Sequence, residues 1–288
     1  ENFGISVALL TPFGSDDSID LALLCDHAND LLHRGAQGIT LFGTTGEGAS
    51  IGFAERDAAL AAILSSGIPA EKITVGLCAT AVSDVVAQVE QAGRHGLFRF
   101  LLLPPFYFPQ PTDSGLYEWH ARLLGATDPR TQFIVYHIPQ MTGVALTLGL
   151  VTRLVQAYPS RIIGLKDSSG NWDNTQRLLE YGEIPVLVGD ERLLHRALRQ
   201  GAVGSICGMA NVYPEWLATL YETKEPNAAL HAAVDAVVAE PVIPAIKLLM
   251  ARNTSNANWL RQRAPLQPLD AGSRDRVLAA VTKASLNA

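Results

Sequence analysis

The chain has 288 residues, of which 48% are hydrophobic and 17% are charged, so it is too apolar to be a disordered segment. Its 22 basic and 28 acidic residues give a net charge of −6, which argues against binding nucleic acid through bulk charge. A rule of about 150 residues per domain suggests two domains, although barrel proteins often have roughly 200–250 residues in one domain.

The mean hydropathy of +0.16 raises the question of a membrane segment. The longest apolar stretches, 100–109 and 234–250, are short or are interrupted by prolines and charges, whereas a spanning helix needs about 20 apolar residues. The chain starts at Glu1 without a basic segment or an apolar run, so we expect no signal peptide. Three well-separated cysteines favour free thiols in a reducing cytoplasm and argue against disulfides.

Apolar runs bounded by turn residues alternate with stretches of helical periodicity along most of the chain. The runs predict eight strands, and the periodic stretches predict a helix after each strand. The clearest helix lies at 19–33, where Leu21, Leu24 and Ala28 share one apolar stripe and Gly35 follows the end. The predicted strands are 5–10, 38–42, 73–77, 98–103, 132–136, 161–166, 186–188 and 203–206. The predicted helices are 19–33, 54–65, 82–95, 115–126, 148–157, 172–181, 191–200 and 213–222.

Eight strands that are each followed by a helix match the element count of a (β/α)8 TIM barrel. A doubly wound sheet is the competing architecture, but its Gly-x-Gly-x-x-Gly motif is missing after the first strand. We therefore predict that residues 1–225 form the barrel. Residues 226–288 are predicted to be a C-terminal helical extension of the same domain, with helices around 228–251 and 272–285, and we expect this extension to serve assembly.

The active site of a TIM barrel forms at the carboxyl ends of the strands, so residues at those ends are the candidates. Among the five lysines, Lys166 alone ends an apolar strand, whereas Lys247 lies in an apolar helical stretch from which its amine could extend to solvent. Alternation along the strand points Lys166 into the barrel. Burial lowers the pKa of an amine, and a neutral amine can form a Schiff base. An ion pair with Asp167 or Asp190 would instead make the lysine structural.

Two other strand ends carry groups suited to proton transfer or anion binding. Tyr136 ends the fifth strand, where its phenol either transfers protons or packs in the core. Residues 43–48, Gly-Thr-Thr-Gly-Glu-Gly, follow the second strand, and their glycines and hydroxyls favour a backbone nest for a carboxylate or a phosphate. An ordinary strand-to-helix turn explains the same segment equally well.

Two further loops carry candidate functional residues, and the spacing of the histidines bears on metal binding. Asp190 and Glu191 follow the seventh strand, where they either bind substrate hydroxyls or, for Asp190, cap the next helix. Residues 103–109 place three aromatic residues among prolines, which predicts a loop that lines the site or, more readily, contacts another subunit. The histidines are scattered and no zinc-type spacing is present, which argues against a metal site.

Taken in order, four segments resemble the dihydrodipicolinate synthase/N-acetylneuraminate lyase family of class I aldolases. They are Gly-Thr-Thr-Gly-Glu at 43–47, Tyr107 after a Pro-Pro pair, Tyr-His-Ile-Pro with a following Thr-Gly at 136–143, and Gly-Leu-Lys-Asp-Ser-Ser-Gly at 164–170. The resemblance extends from about Ile5 to the C-terminal helices. It implies an enzyme with the TIM barrel fold that needs no metal or organic cofactor and is commonly a homotetramer, a dimer of dimers.

The resemblance also implies roles for individual residues. Lys166 would form a Schiff base with pyruvate or another 2-keto acid, and Tyr136 would be the general acid/base, with protons passing through Thr44 and Tyr107. The tyrosine that Tyr107 resembles often comes from the neighbouring subunit. Thr44 and Thr45 would bind the keto-acid carboxylate. The other substrate-binding candidates are Gly43, Ser168, Gly189, Asp190, Glu191, Ile206 and Met141.

One position departs from the family's dihydrodipicolinate synthases. They carry a pattern like Tyr-Asn-x-Pro-x-Arg-Thr-Gly, whose arginine binds the carboxylate of aspartate semialdehyde, and this chain has Met141 in its place. A thioether cannot replace a bidentate guanidinium, which argues against a role in lysine biosynthesis. Asp190, Glu191 and Ser168 resemble positions that contact hydroxyls in the neuraminate lyase branch.

We therefore expect a cytoplasmic, pyruvate-dependent lyase that cleaves or forms a hydroxylated 2-keto acid, such as a 2-keto-3-deoxy sugar acid, with an aldehyde as the other partner. Two alternatives use the same imine: 4-hydroxy-tetrahydrodipicolinate synthase and a 2-keto-3-deoxy acid dehydratase. A non-catalytic barrel that binds a keto acid is the alternative from another class. The set of Lys166, Tyr136, Thr44 and Tyr107 argues against it, because a binding protein does not need an imine-forming lysine.

Overall fold

A computed structural model of the chain describes residues 3–108 and 110–286, and its strands close into a parallel barrel in chain order, with the last strand paired to the first. The TIM barrel prediction is confirmed, and each predicted strand lies within two residues of an observed one at both ends. The strands are β1 (Gly4–Ala8), β2 (Gly38–Leu41), β3 (Ile73–Leu77), β4 (Arg99–Leu102), β5 (Gln132–His137), β6 (Ile162–Asp167), β7 (Val186–Val188) and β8 (Gly204–Cys207).

The predicted barrel helices are also found, and one short additional helix precedes the fifth of them. This helix has four residues, which is too short for periodicity to reveal, although Pro139 at its start and Gly143 after its end are typical boundary residues. Within the described ranges, no helix is long and apolar enough to cross a membrane. The helices are α1 (Leu21–His33), α2 (Phe53–Ser65), α3 (Val82–Arg94), α4 (Asp113–Ala126), α5 (Pro139–Thr142), α6 (Leu148–Ala157), α7 (Trp172–Tyr181), α8 (Glu191–Arg199) and α9 (Pro214–Thr223).

The C-terminal extension consists of α10 (Ala228–Val238), α11 (Val242–Thr254) and α12 (Ala271–Leu286). The region around 228–251 is helical as predicted, but it forms two helices, because the chain turns between α10 and α11, where Pro241 lacks an N–H group and disfavours helical geometry in the residue before it. α10 packs against α8 and α12, and α11 packs against α10 and α12. The boundary at residue 225 and the assignment of the extension to the same domain stay predictions.

Side chains of the strands alternate between two apolar layers, as the period of two requires. Val135 and Leu165 pack in the layer between strands and helices. Lys166 points to the other side of β6, as predicted, and its register partner on β5 is Tyr136. This alternation brings the Lys166 amine and the Tyr136 phenol together inside the barrel, near the carboxyl ends of the strands. The interior cluster contains Ala8, Leu101, Ile134, Tyr136, Ile138, Leu187 and Ile206.

Candidate active site

A cavity of about 500 Å³ opens at the carboxyl ends of the strands, where TIM barrels place their active sites. Ten of the twelve residues singled out from the sequence line this cavity, and Gly43 and Tyr107 do not. The structure therefore brings together residues from five strands or their following loops. The ten lining residues are Thr44, Thr45, Tyr136, Met141, Lys166, Ser168, Gly189, Asp190, Glu191 and Ile206.

Lys166 is only 4% exposed, and its Nζ lies 4.1 Å from the centroid of the Tyr136 ring. The two carboxylates that the sequence offers as structural partners are engaged elsewhere. Asp167 accepts hydrogen bonds from the Ser169 N–H at 3.0 Å and from the Thr175 hydroxyl at 2.7 Å. Asp190 forms an ion pair with Arg192. The amine therefore meets an aromatic face and the cavity instead of a carboxylate.

Tyr136 is buried beside Lys166, and its hydroxyl lies 3.3 Å from Thr44 Oγ1. Burial by itself raises the pKa of a phenol. The positive charge of Lys166 and hydrogen bonds from Thr44, Lys166 and Ser168 outweigh that effect, so the pKa of Tyr136 lies below its ordinary value. A phenol with a lowered pKa is better suited to proton transfer near neutral pH.

The loop at 43–48 is a tight turn that presents both threonines to the cavity. The Glu47 N–H donates to the Thr44 carbonyl at 3.0 Å and the Gly48 N–H donates to the Gly43 carbonyl at 3.1 Å. These bonds do not use the N–H groups of Thr44 and Thr45. The loop also holds Glu47 in the left-handed region, at φ 54°, which is strained for a residue other than glycine. The use of this loop as an anion nest stays a prediction.

Glu47 ties this loop to the C-terminal extension through an ion pair with Lys247, and both side chains are fully buried. Lys247 also donates to the Arg261 carbonyl at 2.7 Å, and the second Glu47 oxygen accepts from the Arg263 N–H at 3.0 Å. The prediction that Lys247 extends to solvent is wrong, because a carboxylate from a distant loop neutralises it inside the protein. Burial lowers the pKa of the Lys247 amine, and Glu47 offsets part of that shift.

The acidic pair after β7 has structural partners. Asp190 accepts from the Arg192 N–H at 3.0 Å, which confirms the helix-capping alternative, and its carboxylate also binds the Arg192 guanidinium. Arg192 reaches Asp235 in α10 as well, at 2.8 Å. Glu191 accepts from the Met209 N–H at 2.8 Å, and burial raises the pKa of its carboxyl. Both residues line the cavity, and their binding of substrate hydroxyls stays a prediction.

Two glycines allow close approaches that shape the cavity. A Cβ at Gly189 would overlap the hydroxyl of Ser168, so glycine there leaves room for that hydroxyl beside the phenol. A Cβ at Gly208 would lie 2.8 Å from the Ile246 side chain and 3.5 Å from Thr45 Oγ1. The missing side chain at Gly208 thus lets α11 pack directly over the loop that carries Thr45.

One side of the cavity comes from the C-terminal extension, for which the sequence predicts only a role in assembly. The apolar stretch 234–250 is too interrupted for a membrane segment, and its valines and prolines are the sequence signal for this side of the cavity. The lining residues from this region are Val234, Val237, Val238, Pro241, Val242, Ile243, Pro244, Ile246 and Leu266.

Tyr107 lies outside the cavity of its own chain, with 84% of its surface exposed. Its backbone has φ 94°, and its ring contacts the Phe108 ring edge-on at 5.5 Å between centroids. Pro109, the last residue of the predicted 103–109 loop, lies outside the described residues. The catalytic role of Tyr107, through a neighbouring subunit, stays a prediction.

Cysteine and metal chemistry have little basis in the described part of the chain. Cys25, Cys78 and Cys207 are free thiols, and Cys207 alone is fully buried. In residues 3–108 and 110–286, no group of three His, Cys, Asp or Glu side chains is arranged to hold a metal ion.

Comparisons with known proteins agree with this geometry. The model of the dihydrodipicolinate synthetase family matches residues 1–284. A protein named as an uncharacterized DapA-like lyase, from Chloroflexus aurantiacus, is 33% identical over 275 residues, covering 92% of this chain and 91% of its own. The 4-hydroxy-tetrahydrodipicolinate synthase of Porphyromonas gingivalis is 33% identical over 222 residues, covering 75% of this chain and 72% of its own.

Among solved structures, the crystal structure of dihydrodipicolinate synthase from Agrobacterium tumefaciens is similar over the whole barrel and the extension. It has a TM-score of 0.94 and 36% sequence identity, covering 98% of this chain and 99% of that chain. Sequence and structure comparisons thus point the same way as the ordered motifs. The chain belongs to the dihydrodipicolinate synthetase family.

Proposed function

We propose that the protein is a class I, pyruvate-dependent lyase that cleaves a 4-hydroxy-2-keto acid to pyruvate and an aldehyde, or forms it from them. The observation that carries this proposal is the Lys166 amine, buried in the cavity 4.1 Å from the Tyr136 ring centroid and, among the described residues, without a carboxylate partner. Family membership supports the same reaction class.

The reaction begins when Lys166 Nζ attacks C2 of the keto acid and the carbonyl oxygen leaves as water, which gives a protonated imine. The imine accepts the electron pair of the C3–C4 bond as the C4 hydroxyl loses its proton, so C4 departs as an aldehyde and an enamine remains. Protonation of C3 and hydrolysis by water then release pyruvate and restore the amine. The same steps in reverse form the bond.

Tyr136 is positioned to move the protons of these steps. Its hydroxyl lies next to Thr44 and shares the cavity with Lys166 and Ser168, so one phenol can serve both the forming imine and the C4 oxygen. Thr44 and Thr45 provide hydroxyls for the keto-acid carboxylate at the same end of the cavity. Ser168 is the hydroxyl-bearing side chain suited to contact the C4 oxygen, in keeping with the expectation of a hydroxylated 2-keto acid.

A second candidate, condensation of pyruvate with aspartate semialdehyde, is favoured by the names of the relatives in P. gingivalis and A. tumefaciens. Met141 stands against it, because its side chain lies in the cavity lining where those synthases are expected to carry an arginine. Arg192 also lines the cavity, but its guanidinium already pairs with Asp190 and Asp235.

We also propose assembly into a homotetramer. Tyr107 and Phe108 are 84% and 75% exposed, which is unusual for neighbouring large aromatic side chains. Contact with a second copy would cover them and would bring Tyr107 toward a site that it does not reach within its own chain. Sedimentation of the wild type and of Tyr107→Ala measures the oligomeric state, and a monomeric wild type would refute the proposed assembly.

The test of the proposed function is reduction with borohydride in the presence of pyruvate, followed by peptide mass spectrometry. We expect a reduced pyruvate adduct on Lys166, and neither an adduct at that position nor turnover in Lys166→Ala, which should keep its fold. An adduct on another lysine, or none at all, would refute the mechanism.

A panel of aldehydes separates the two candidates. If the wild type condenses aspartate semialdehyde efficiently and Met141→Arg brings no gain, the argument from Met141 is wrong. If Met141→Arg gains this activity while the wild type lacks it, the second candidate is excluded for the natural chain.

A further inference from the structure

The cavity divides into a polar half and an apolar half. The polar half contains the residues that bind and react with the keto acid in the function proposed above. They are Lys166, Tyr136, Thr44, Thr45 and Ser168. The apolar half, here called the apolar wall, comes from α5, α10, α11 and the loop before α12. The apolar wall consists of Met141, Val234, Val237, Val238, Val242, Ile243, Ile246 and Leu266.

Three residues at the outer edge of the apolar wall are exposed to solvent. Met141 is 64% exposed, Val238 is 44% exposed and Val242 is 42% exposed, and all three lie at the rim of this one cavity. Single exposed apolar side chains are ordinary on protein surfaces, whereas several around one concave site indicate a binding surface.

The apolar wall is fixed in place next to the reacting groups. Ile246 packs against Gly208, whose missing Cβ lets α11 approach Thr45. Arg192 joins α8 to α10 through Asp235 at 2.8 Å. The apolar surface therefore begins beside the keto-acid site and extends outward from it, along the direction in which the rest of a longer substrate must lie.

Several polar side chains that line the cavity already have partners within the protein. Gln140 Nε2 donates to the Ser168 carbonyl at 2.7 Å, the Arg192 guanidinium pairs with Asp190, and Glu191 accepts from the Met209 N–H. A chain of hydroxyls lying here would lose hydrogen bonds to water without gaining equivalent partners. An apolar group would instead displace water from the apolar wall.

Resting on the function proposed above, we propose that the aldehyde half of the substrate carries an apolar alkyl or aryl group. The substrate class is then a 4-hydroxy-2-keto acid whose C4 bears this group, and the polyhydroxylated tail of a sugar acid is disfavoured. Pyruvate fills only part of a cavity of about 500 Å³, and the apolar wall surrounds the remainder. The C4 hydroxyl stays with Tyr136 and Ser168, and the apolar group contacts Val238 and Val242.

The first experiment measures kcat/KM for condensation of pyruvate with 3-methylbutanal, benzaldehyde, glyceraldehyde and aspartate semialdehyde. We expect the two apolar aldehydes to be preferred by at least about tenfold, the size of effect that one or two well-placed apolar contacts produce. Equal values, or a preference for glyceraldehyde or aspartate semialdehyde, would overturn the inference. Borohydride trapping of pyruvate on Lys166 is measured in parallel, so a failure of the lysine chemistry is seen separately, and it would overturn the proposed function together with this inference.

The second experiment replaces the rim valines with the isosteric, polar residue in Val238→Thr and Val242→Thr. The KM for 3-methylbutanal should rise several-fold in each variant, to about tenfold in the double variant, with a smaller change in kcat. Val86→Thr is the matched control, since Val86 is a partly buried valine of α3, remote from the cavity, and its KM should equal that of the wild type.

A second copy of the chain is the competing occupant of the apolar wall. Sedimentation velocity of the same valine variants distinguishes it from substrate. If the variants lose oligomeric mass and their KM for the apolar aldehydes stays at the wild-type value, the apolar wall is a subunit contact and the inference is wrong. An unchanged mass with a raised KM supports it.

Discussion

Lys166 and Lys247 are both buried, at 4% and 0% exposure, and both lie near residues of the loop 43–48. Lys166 shares a cavity with Thr44 and Thr45, and Lys247 pairs with Glu47. Lys247 has a carboxylate partner in Glu47 and donates to a carbonyl as well, so its charge is neutralised within the protein. Lys166 faces a phenol ring and a cavity, and no ion pair is found for it within the described residues.

The difference between the two lysines shows that burial alone does not make an amine a nucleophile. A buried cation with a full set of partners fixes two parts of the chain to each other, here the threonine loop and α11. A buried amine without a carboxylate keeps its lone pair within reach of a substrate carbonyl once the proton is removed. Identical substitutions at the two positions should therefore have opposite consequences.

The largest effect is expected from Lys166→Met, which keeps the length of the side chain and removes the amine. Turnover should fall below detection because no imine can form. Thermal unfolding should occur at or above the wild-type temperature, since an incompletely partnered buried cation has been removed. Steady-state assays and circular dichroism measure the two quantities. Residual turnover near the wild-type value would refute the distinction between the two lysines, because Lys166 would then have no role in the reaction, as is expected of Lys247.

Tyr136→Phe should reduce kcat by about 10²–10⁴-fold, the range for removing a general acid or base. The ring stays, so the contact with Lys166 and the packing of the barrel interior are kept. Pyruvate should still be trapped on Lys166, although more slowly, and this separates proton transfer from imine formation. A kcat within about twofold of the wild type would show that another group moves the protons.

Lys247→Met should lower the free energy of unfolding by about 3–5 kcal/mol, because it leaves the Glu47 carboxylate buried without its cation. The double variant Glu47→Gln with Lys247→Met should recover part of that loss, since no charge then remains uncompensated. Urea denaturation measures both variants. If the double variant is no more stable than Lys247→Met, the cost lies in lost packing and the ion pair is not its cause.

Local sequence patterns were sufficient to predict the barrel fold and the inward direction of Lys166. Strand alternation and a position at a strand end are both properties of a short segment. The environment of Lys247 was mispredicted for the opposite reason, since its partner Glu47 lies 200 positions away along the chain. The same limit explains the missed apolar wall. Nothing in the sequence of α11 indicates that Gly208, a distant residue, lets this helix pack over Thr45. Tyr107 shows a third limit, because the role proposed for it depends on a second copy of the chain, and the sequence of one chain cannot place a residue relative to another.

Thr44→Val has the smallest expected effect, and it tests how the surroundings of Lys166 tune Tyr136. Burial raises the pKa of the phenol, while Lys166, Thr44 and Ser168 lower it, with a net decrease. Removing the Thr44 hydroxyl takes away one lowering contribution, so the pKa of Tyr136 should move upward toward its ordinary value. The lost hydrogen bond is worth about 1 kcal/mol, which corresponds to about a fivefold decrease in kcat. Ultraviolet titration of the tyrosinate, with Tyr136→Phe as the blank, measures the pKa directly. A downward shift would mean that Thr44 stabilises the neutral phenol, and that Lys166 and Ser168 alone lower the pKa of Tyr136.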